Sequence, residues 1–272
     1  MKVAIQGIDS SYHARAARAM FGDTIDLVHC DTFAEVFTSV TEGLVEYGVA
    51  AIENSLYGSI NDTYDLLLEH QLHICAETYQ QISLHLLGTD DSSLESITDV
   101  FSQAPALSEA SEFLDTKLSN AKRHEYNDTA SAARFVAQSK TTTNAAIASM
   151  QAAKEFGLHV LAENIETHHD NYTRFIALSQ QEPSAPNGDT KTSITFETSD
   201  TPGSLYAALG VFADRNINLT KLESRPIIGK AWTPMYYIDF TSAIDKELLA
   251  ELKQSASNIR ILGTYPAGRS SA

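Results

Sequence analysis

Basic residues, cysteine and tryptophan are scarce in this chain. Its 272 residues include 19 Lys and Arg against 35 Asp and Glu, with two cysteines and one tryptophan. The formal net charge of −16 argues against nucleic acid as a partner, because such binding depends on basic residues that neutralise phosphates. Cys30 and Cys75 form neither a Cys-x-x-Cys pair nor a metal-ligand spacing, so we expect two buried small hydrophobic side chains and no metal site.

Membrane and export signals are also missing. No run of about 18 apolar residues occurs, which a transmembrane helix would need. The N-terminal sequence MKVAIQGIDSS has one Lys and a short strand-like run, without the apolar core and cleavage site of a signal peptide. We therefore expect a cytoplasmic protein with no membrane partner. A small anionic substrate stays compatible with the acidic surface, since a local site can be positive.

The pattern of elements changes once along the chain. Over residues 1–180, short apolar runs such as 48–52 (GVAAI) alternate with amphipathic helical stretches, which predicts an α/β domain with parallel sheet. Residues 181–190 are mostly polar and hold two prolines and a glycine, so they are interpreted as a linker. Residues 191–268 then predict the order β-α-β-β-α-β of a ferredoxin-like domain.

Five ordered segments of the first domain resemble prephenate dehydratases. Residues 171–178 read NYTRFIAL, around the Thr-Arg-Phe signature, and residues 48–60 read GVAAIENSLYGSI, similar to the GVxPIENSxxGS segment of that family. The other three are GIDSSYHARAA at residues 7–17, DTASAA at 128–133 and AAIASMQAAKEFGL at 145–158. A lone tripeptide would carry little weight, whereas five segments in the right order make a chance match implausible.

The second domain resembles an ACT regulatory domain. Residues 200–206 read DTPGSLY and residues 222–226 read LESRP, the two segments that contact phenylalanine in this family, and Trp232 continues the match. The resemblance implies an allosteric L-phenylalanine site formed by the members of these segments: Gly203, Ser204, Leu205, Glu223, Ser224, Arg225 and Pro226. Because ACT domains typically bind their ligand between two copies, a homodimer or homotetramer is implied as well.

The resemblance implies a fold and a reaction. The fold is α/β, with a two-lobed periplasmic-binding-protein-like (type II) catalytic domain and a ferredoxin-like βαββαβ ACT domain. One lobe would span residues 1–78 and 172–180, the other 82–165, with the active site in the cleft between them. The reaction is the decarboxylative dehydration of prephenate to phenylpyruvate for L-phenylalanine biosynthesis, inhibited by L-phenylalanine. It needs no cofactor and no metal, because aromatisation of the ring drives it.

Thr173 is the implied catalytic residue, since its hydroxyl can stabilise negative charge on the departing oxygen. Adjacent strand residues face opposite sides, so Phe175 should share the side of Thr173 and Arg174 should not. Arg174 therefore has two interpretations, a carboxylate-binding residue or a structural salt bridge. Phe175 either packs on the substrate ring or lines the pocket.

The carboxylates of the substrate need further partners, and strand-to-helix junctions supply candidates. Helix N-termini and their hydroxyls bind anions well, although ordinary helix capping explains the same residue types. The substrate-binding candidates at three such junctions are Ser11, Asn54, Ser55, Ser59 and Thr129. Glu53 would repel a dianion, so we expect it to support the site indirectly, as a partner of Arg174.

One segment departs from the family pattern. Residues 102–107 read SQAPAL where the family commonly has SHPQAL, which leaves the role of this segment open. Three alternatives to a prephenate dehydratase therefore remain: an arogenate dehydratase, an amino-acid sensor that has lost catalysis, and a solute-binding protein.

Overall fold

The computed structural model describes residues 1–183, 188–227 and 230–268, with the backbone alone at 230–232. Residues 184–187 of the predicted linker and the side chain of Trp232 therefore lie outside the described residues. Of the helices in these ranges, none combines the length and the apolar character that crossing a membrane requires.

The first part of the chain alternates strands with helices, and two of its helices, α1 and α2, begin at side-chain caps. The Ser11 hydroxyl accepts a hydrogen bond from the Ala14 amide, and the Thr32 hydroxyl accepts one from the Glu35 amide, both at 3.2 Å. In chain order the elements are β1 (Lys2–Gln6), α1 (Tyr12–Phe21), β2 (Asp26–Cys30), α2 (Phe33–Thr41), β3 (Tyr47–Asn54), β4 (Gly58–Ser59), α3 (Asn61–His70) and β5 (His73–Gln81).

The middle part builds a second set of elements. In chain order these are β6 (His85–Gly88), β7 (Asp99–Ser102), α4 (Ala104–Glu109), α5 (Ser111–Lys117), β8 (Lys122–Glu125), α6 (Thr129–Ser139), β9 (Asn144–Ala148), α7 (Met150–Phe156) and β10 (His159–Ala162). The periodicity of residues 107–118 predicts a single helix, and this prediction is wrong. The region belongs to two helices, α4 and α5, because the backbone leaves the helical conformation at Ala110. The sequence pattern also did not indicate β8, α7 or β10.

The last part returns to the first set and then forms the C-terminal domain. Its elements are β11 (Tyr172–Ser179), β12 (Thr190–Glu197), α8 (Ser204–Asp214), β13 (Leu219–Ile227), β14 (Lys230–Phe240), α9 (Lys246–Ser255) and β15 (Ser257–Pro266). Each of these strands and helices overlaps a predicted one.

Two mixed sheets form the catalytic half. The first has the strand order β2-β1-β3-β11-β5, with β4 beside β3, and together with α1–α3 it is called here the first lobe. The second has the order β10-β6-β9-β7-β8 and with α4–α7 forms the second lobe. The α/β class and the two-lobed arrangement are confirmed.

The predicted parallel pairing is present in only part of the first sheet. β1 runs parallel to β2 and β3, but β11 runs antiparallel to both β3 and β5. The chain leaves the first lobe after β5 and comes back from the second lobe as β11. It thus enters between β3 and β5 from the opposite end, which forces the antiparallel pairing.

The C-terminal domain is an antiparallel sheet in the order β13-β14-β12-β15, covered by α8 and α9. Its core includes Phe196, Phe212 and Phe240, and the predicted ferredoxin-like order is confirmed. The domain packs on the first lobe, where β15 approaches β5 so closely that a Cβ at Gly263 would collide with the Ile74 carbonyl oxygen. The two sheets are therefore in direct contact.

Candidate active site

A cavity of about 280 Å³ lies between the two lobes, at the ends of β3, β11 and α4. From the first lobe it is lined by Gln6, Ser11, Tyr12, His13, Phe33, Ala51, Asn54, Tyr57, Ile60, Thr173 and Phe175. From the second lobe and the segment leading into it come Ile82, Leu84, Gln103, Pro105, Ala106, Glu109, Asp128 and Thr129. Four of the predicted substrate-site residues are brought together here with Thr173: Ser11, Asn54, Thr129 and Phe175.

Thr173 is nearly buried, with 8% of its surface exposed, and its hydroxyl has a defined orientation. The Asn54 side-chain amide donates a hydrogen bond to Thr173 Oγ1 at 3.1 Å. The hydroxyl oxygen thus acts as an acceptor, and its hydrogen has no acceptor among the described residues. It is free to point into the cavity, as a donor to a bound ligand must.

Asn54 is fixed by four hydrogen bonds at the end of β3. Its carbonyl oxygen accepts from the amides of Leu56 and Tyr57 at 2.9 and 3.0 Å. Its amide nitrogen donates to Asn171 Oδ1 at 2.7 Å as well as to Thr173. Both polar atoms of this side chain are therefore used: its oxygen holds the loop after β3, and its nitrogen holds Thr173 and Asn171.

Strand alternation places Phe175 beside Thr173, as predicted. Phe175 is 1% exposed and meets His13 edge to face, with ring centroids 5.1 Å apart. Burial lowers the pKa of His13 to about 4, so its imidazole is neutral near pH 7. Its Nε2 atom is buried with no hydrogen-bond partner among the described residues. The aromatic wall thus carries one polar atom that a ligand can satisfy.

Arg174 does not reach the cavity, so its assignment to substrate binding is corrected. It lies on the opposite face of β11 with 3% of its surface exposed. Its guanidinium donates to Glu77 at 2.7 Å, to Tyr265 Oη at 2.9 Å and to the Asp239 carboxylate. The alternation that points Thr173 at the cavity points Arg174 at the C-terminal domain, and the salt-bridge interpretation holds.

Ser55 and Ser59 also lie outside the cavity. Ser55 Oγ donates to the Asp170 carbonyl at 3.0 Å and accepts from the Tyr172 amide at 2.9 Å. Ser59 Oγ donates to Glu223 at 2.5 Å. Each hydroxyl is thus used in a structural contact, which accounts for a polar residue at that point of the sequence without a ligand.

The anion-binding candidates that remain are Ser11 and Thr129. Ser11 caps α1, while Asp128 caps α6, so that Thr129 opens that helix and faces the cavity. Two helix N-termini from different lobes therefore point toward one volume. Backbone amides there favour negative charge. No Lys or Arg is among the cavity-lining residues of the described chain.

Several residues in or next to the cavity were not predicted from the sequence to belong to the site. Tyr12 and His13 lie inside the matched segment 7–17, in which only Ser11 was predicted to bind substrate. Glu109 comes two residues after the departing SQAPAL segment. Asn171, which does not line the cavity but bonds to Asn54 and Glu109, begins the segment NYTRFIAL. Tyr12 has both hydrogen-bonding functions of its hydroxyl occupied by Ser83, and burial raises its pKa to about 12. These residues share a matched segment or its border, and that position is the only signal that could have found them.

Comparison with known proteins decides the family. Residues 3–183 match the family model described as prephenate dehydratase, and residues 192–257 match the ACT domain. The chain belongs to the prephenate dehydratase family.

Two relatives share almost the whole chain. A bifunctional chorismate mutase/prephenate dehydratase of Aquifex aeolicus is 36% identical over 98% of this chain and 74% of its own length. Arogenate dehydratase 2 of Petunia hybrida is 38% identical over 98% of this chain and 72% of its own length. The family thus includes relatives named for either substrate.

Two solved structures resemble the whole chain. The prephenate dehydratase of Arthrobacter aurescens, solved in complex with L-Phe, has a TM-score of 0.88 at 26% identity and covers 98% of this chain and 90% of its own. A protein described as GqqA, a novel type of quorum quenching acylase, has a TM-score of 0.86 at 31% identity and covers 98% of both chains. Both similarities include the ACT domain as well as the two lobes.

The residues predicted to bind phenylalanine in the ACT domain lie on both faces of β13. Ser224 and Pro226 are exposed on the side away from the first lobe. Glu223 and Arg225 face the first lobe, where Glu223 accepts from Ser59 and Arg225 binds the Asp65 carboxylate at 2.8 Å. Strand alternation explains the split, because consecutive residues cannot share a face.

The glycine-containing segment of the ACT domain begins α8. Gly203 has φ +87°, a conformation that side chains rarely adopt, and it precedes Ser204 and Leu205 in the first turn. Nearby Tyr206 is 82% exposed, and Leu222 on β13 is 45% exposed. The ACT domain therefore presents apolar side chains on the same outer surface as Ser224.

Proposed function

We propose that this chain catalyses the decarboxylative dehydration of prephenate to phenylpyruvate, in the cavity beneath Thr173. The observation that carries the proposal is the hydroxyl of Thr173. Its oxygen accepts from Asn54, and its hydrogen is left for a ligand. A preorganised donor of this kind stabilises negative charge on an oxygen that leaves.

The chemistry needs little more than orientation and charge stabilisation. As the carboxylate on the ring carbon departs as CO2, its electron pair enters the ring, and the bond between the opposite carbon and its hydroxyl breaks. The ring becomes aromatic. Negative charge therefore builds on one oxygen, and Thr173 donates to that oxygen while it leaves.

The cavity also offers places for the rest of the substrate. Phe33 and Phe175 supply apolar walls for the ring, with the neutral His13 between them. Ser11 and Thr129, at the N-termini of α1 and α6, are proposed to hold the carboxylates by backbone amides and hydroxyls. Arg174 supports the site from behind as part of a buried ion network.

Arogenate is a second candidate substrate, because it differs from prephenate only in an amino group where prephenate has a keto group. The Petunia relative is named for it. The cavity wall includes the carboxyl groups of Glu109 and Asp128 and no Lys or Arg among its described residues. An ammonium group would find a partner there, so this substrate belongs in the same assay.

We further propose that L-phenylalanine inhibits the enzyme through the ACT domain, in a cytoplasmic homodimer or homotetramer. We propose that the catalytic domain spans 1–180, the linker 181–190 and the ACT domain 191–268. The chain would pass from one lobe to the other near residues 79–81 and 168–171. Support for coupling comes from three side-chain contacts between β13 or β14 and the first lobe: Lys221 with Glu53 at 2.7 Å, Glu223 with Ser59, and Asp239 with Arg174. An effector that prefers one placement of the ACT sheet would act through them.

The test is phenylpyruvate formation from prephenate by the purified chain, beside phenylalanine formation from arogenate, each with and without added L-phenylalanine. Turnover of either substrate that L-phenylalanine suppresses supports both halves of the proposal. Turnover without suppression removes the regulatory half. No turnover of either substrate would favour a sensor that has lost catalysis.

A further inference from the structure

Glu109 is the last residue of α4 and lines the same cavity as Thr173. We propose that Glu109 is the acid that protonates the departing hydroxyl, so that it leaves as water. The inference rests on the proposed function. It gives a role to the helix that contains most of the segment departing from the family pattern, because Glu109 lies two residues after SQAPAL and ends α4.

A continuous hydrogen-bond chain connects Glu109 to Thr173. Asn171 Nδ2 donates to Glu109 Oε2 at 2.7 Å, and Asn171 Oδ1 accepts from Asn54 Nδ2 at 2.7 Å. Asn54 donates in turn to Thr173. Asn171 is fully buried, so the chain is fixed. It holds a carboxyl of the second lobe in a set position relative to the hydroxyl of the first.

The reaction itself calls for an acid. Prephenate carries two negative charges, and loss of CO2 and hydroxide would leave phenylpyruvate with one charge beside a free hydroxide. In the proposed step the bond between carbon and the hydroxyl breaks and the proton of the Glu109 carboxyl moves to that oxygen. The products are CO2, water, the aromatic keto acid and a Glu109 carboxylate. That carboxylate then takes a proton from solvent.

The other side chains in the cavity do not fit this role. The hydroxyl of Tyr12 is occupied by Ser83, and that of Tyr57 donates to the Pro105 carbonyl at 3.1 Å. Both carboxylate oxygens of Asp128 are occupied in capping α6, since they accept from the amide and the hydroxyl of Ser131 at 2.8 and 2.6 Å. His13 is a neutral imidazole near pH 7, because burial lowers its pKa to about 4, so it is not the acidic imidazolium that this step would need.

Glu109 has an environment suited to an acid at neutral pH. Burial raises its pKa to about 7, the hydrogen bond from Asn171 opposes that shift, and the negative charge of Glu166 adds to it. The titratable groups that face this region from neighbouring elements are Glu166 and His169 before β11, Tyr12 and His13 on α1, and Asp128 before α6. Glu109 Oε1 has no hydrogen-bond partner among the described residues, which leaves it available to a ligand.

The test is the dependence of kcat on pH for the full chain and for Glu109→Gln, with Glu112→Gln as the matched control. Glu112 is exposed on α5 and does not line the cavity. The amide of Gln still accepts from Asn171 but has no acidic proton. We expect kcat of the wild type to fall above pH ~7, as the Glu109 carboxyl loses its proton. Glu109→Gln should lower kcat at pH 6 by about 10²-fold and should lose this alkaline limb of the pH profile.

A second variant separates the acid from a purely structural role. Glu166→Gln removes a negative charge near Glu109, which should move the limb of the pH profile to lower pH. The proposal is overturned if Glu109→Gln keeps kcat within about twofold of the wild type with the same limb, or if it raises only KM. Inactivity of the wild type on prephenate and arogenate would instead overturn the proposed function, before any variant is compared.

Discussion

Arg174 and Asp239 form a buried ion pair that joins the strand of Thr173 to a central strand of the ACT sheet. Arg174 also binds Glu77, and Glu77 binds Lys191 of β12 at 2.7 Å. The residue next to Thr173 is thus held by both domains. A shift of the ACT sheet must either move Arg174 or break this network.

Replacing Arg174 by Met should destabilise the folded chain strongly. Three acceptors, Glu77, Asp239 and Tyr265, would lose a cation that is 3% exposed. Removing one partner of a buried ion pair costs about 3–5 kcal/mol of unfolding free energy. Urea unfolding measures the loss. The control is Arg215→Met, which breaks a more accessible pair with Glu251 and should cost much less, because water screens that pair. Equal losses in the two variants would contradict the account.

Ser224→Ala should weaken inhibition by L-phenylalanine. Ser224 lies on the outer face of β13, where no contact with the first lobe occupies it. Loss of one hydrogen bond to the effector, about 1 kcal/mol, would raise the half-inhibiting concentration about fivefold. Inhibition curves of initial rate against L-phenylalanine measure it. Ser255→Ala at the end of α9 is the matched control. If both variants give the wild-type curve, the effector does not use Ser224.

Stability should depend on pH through Glu109. Because burial raises its pKa to about 7 from about 4.3 in the unfolded chain, the folded state favours the protonated form. This contribution is complete below pH ~4.3 and is lost as the pH rises through about 7. Glu109→Gln carries no such charge. The melting temperature of this variant, relative to that of the wild type, should therefore rise between pH 5 and pH 8. Thermal unfolding across that range measures the gain, and a constant difference, as expected for Glu112→Gln, would argue against it.

The sequence predicted the positions that depend on strand alternation. Residues 173–175 on a strand imply that Thr173 and Phe175 share one side and Arg174 takes the other, and this is the observed arrangement. The ferredoxin-like domain could be predicted equally well, because its strands and helices follow each other along the chain. Local periodicity is enough for both.

Contacts between distant segments could not be predicted in the same way. Ser59 looked like a residue for an anion because it lies near a helix start, yet its partners Lys221 and Glu223 come from the ACT domain. The local sequence around a serine before a helix is the same whether the serine binds a ligand, caps the helix or contacts another domain. The direction of β11 is a further example, since it is set by the return of the chain from the second lobe.

The pKa of Glu109 depends on contacts that the sequence around it does not indicate. From the sequence, SQAPAL indicated only that the segment differs. Burial in the cavity wall raises the pKa of Glu109, the negative charge of Glu166 adds to that shift, and the hydrogen bond from Asn171 opposes it. Glu166 and Asn171 lie 57 and 62 positions further along the chain. A pKa set by such contacts has no signal in the local pattern.

The most direct measurement compares kcat for prephenate between the wild type, Thr173→Ser and Thr173→Ala. Ser keeps the hydroxyl that Asn54 orients, whereas Ala removes it. The account predicts that Thr173→Ala lowers kcat by about 10²-fold or more while Thr173→Ser retains most of it. Turnover of Thr173→Ala near that of the wild type would remove this hydroxyl from the mechanism and contradict the account.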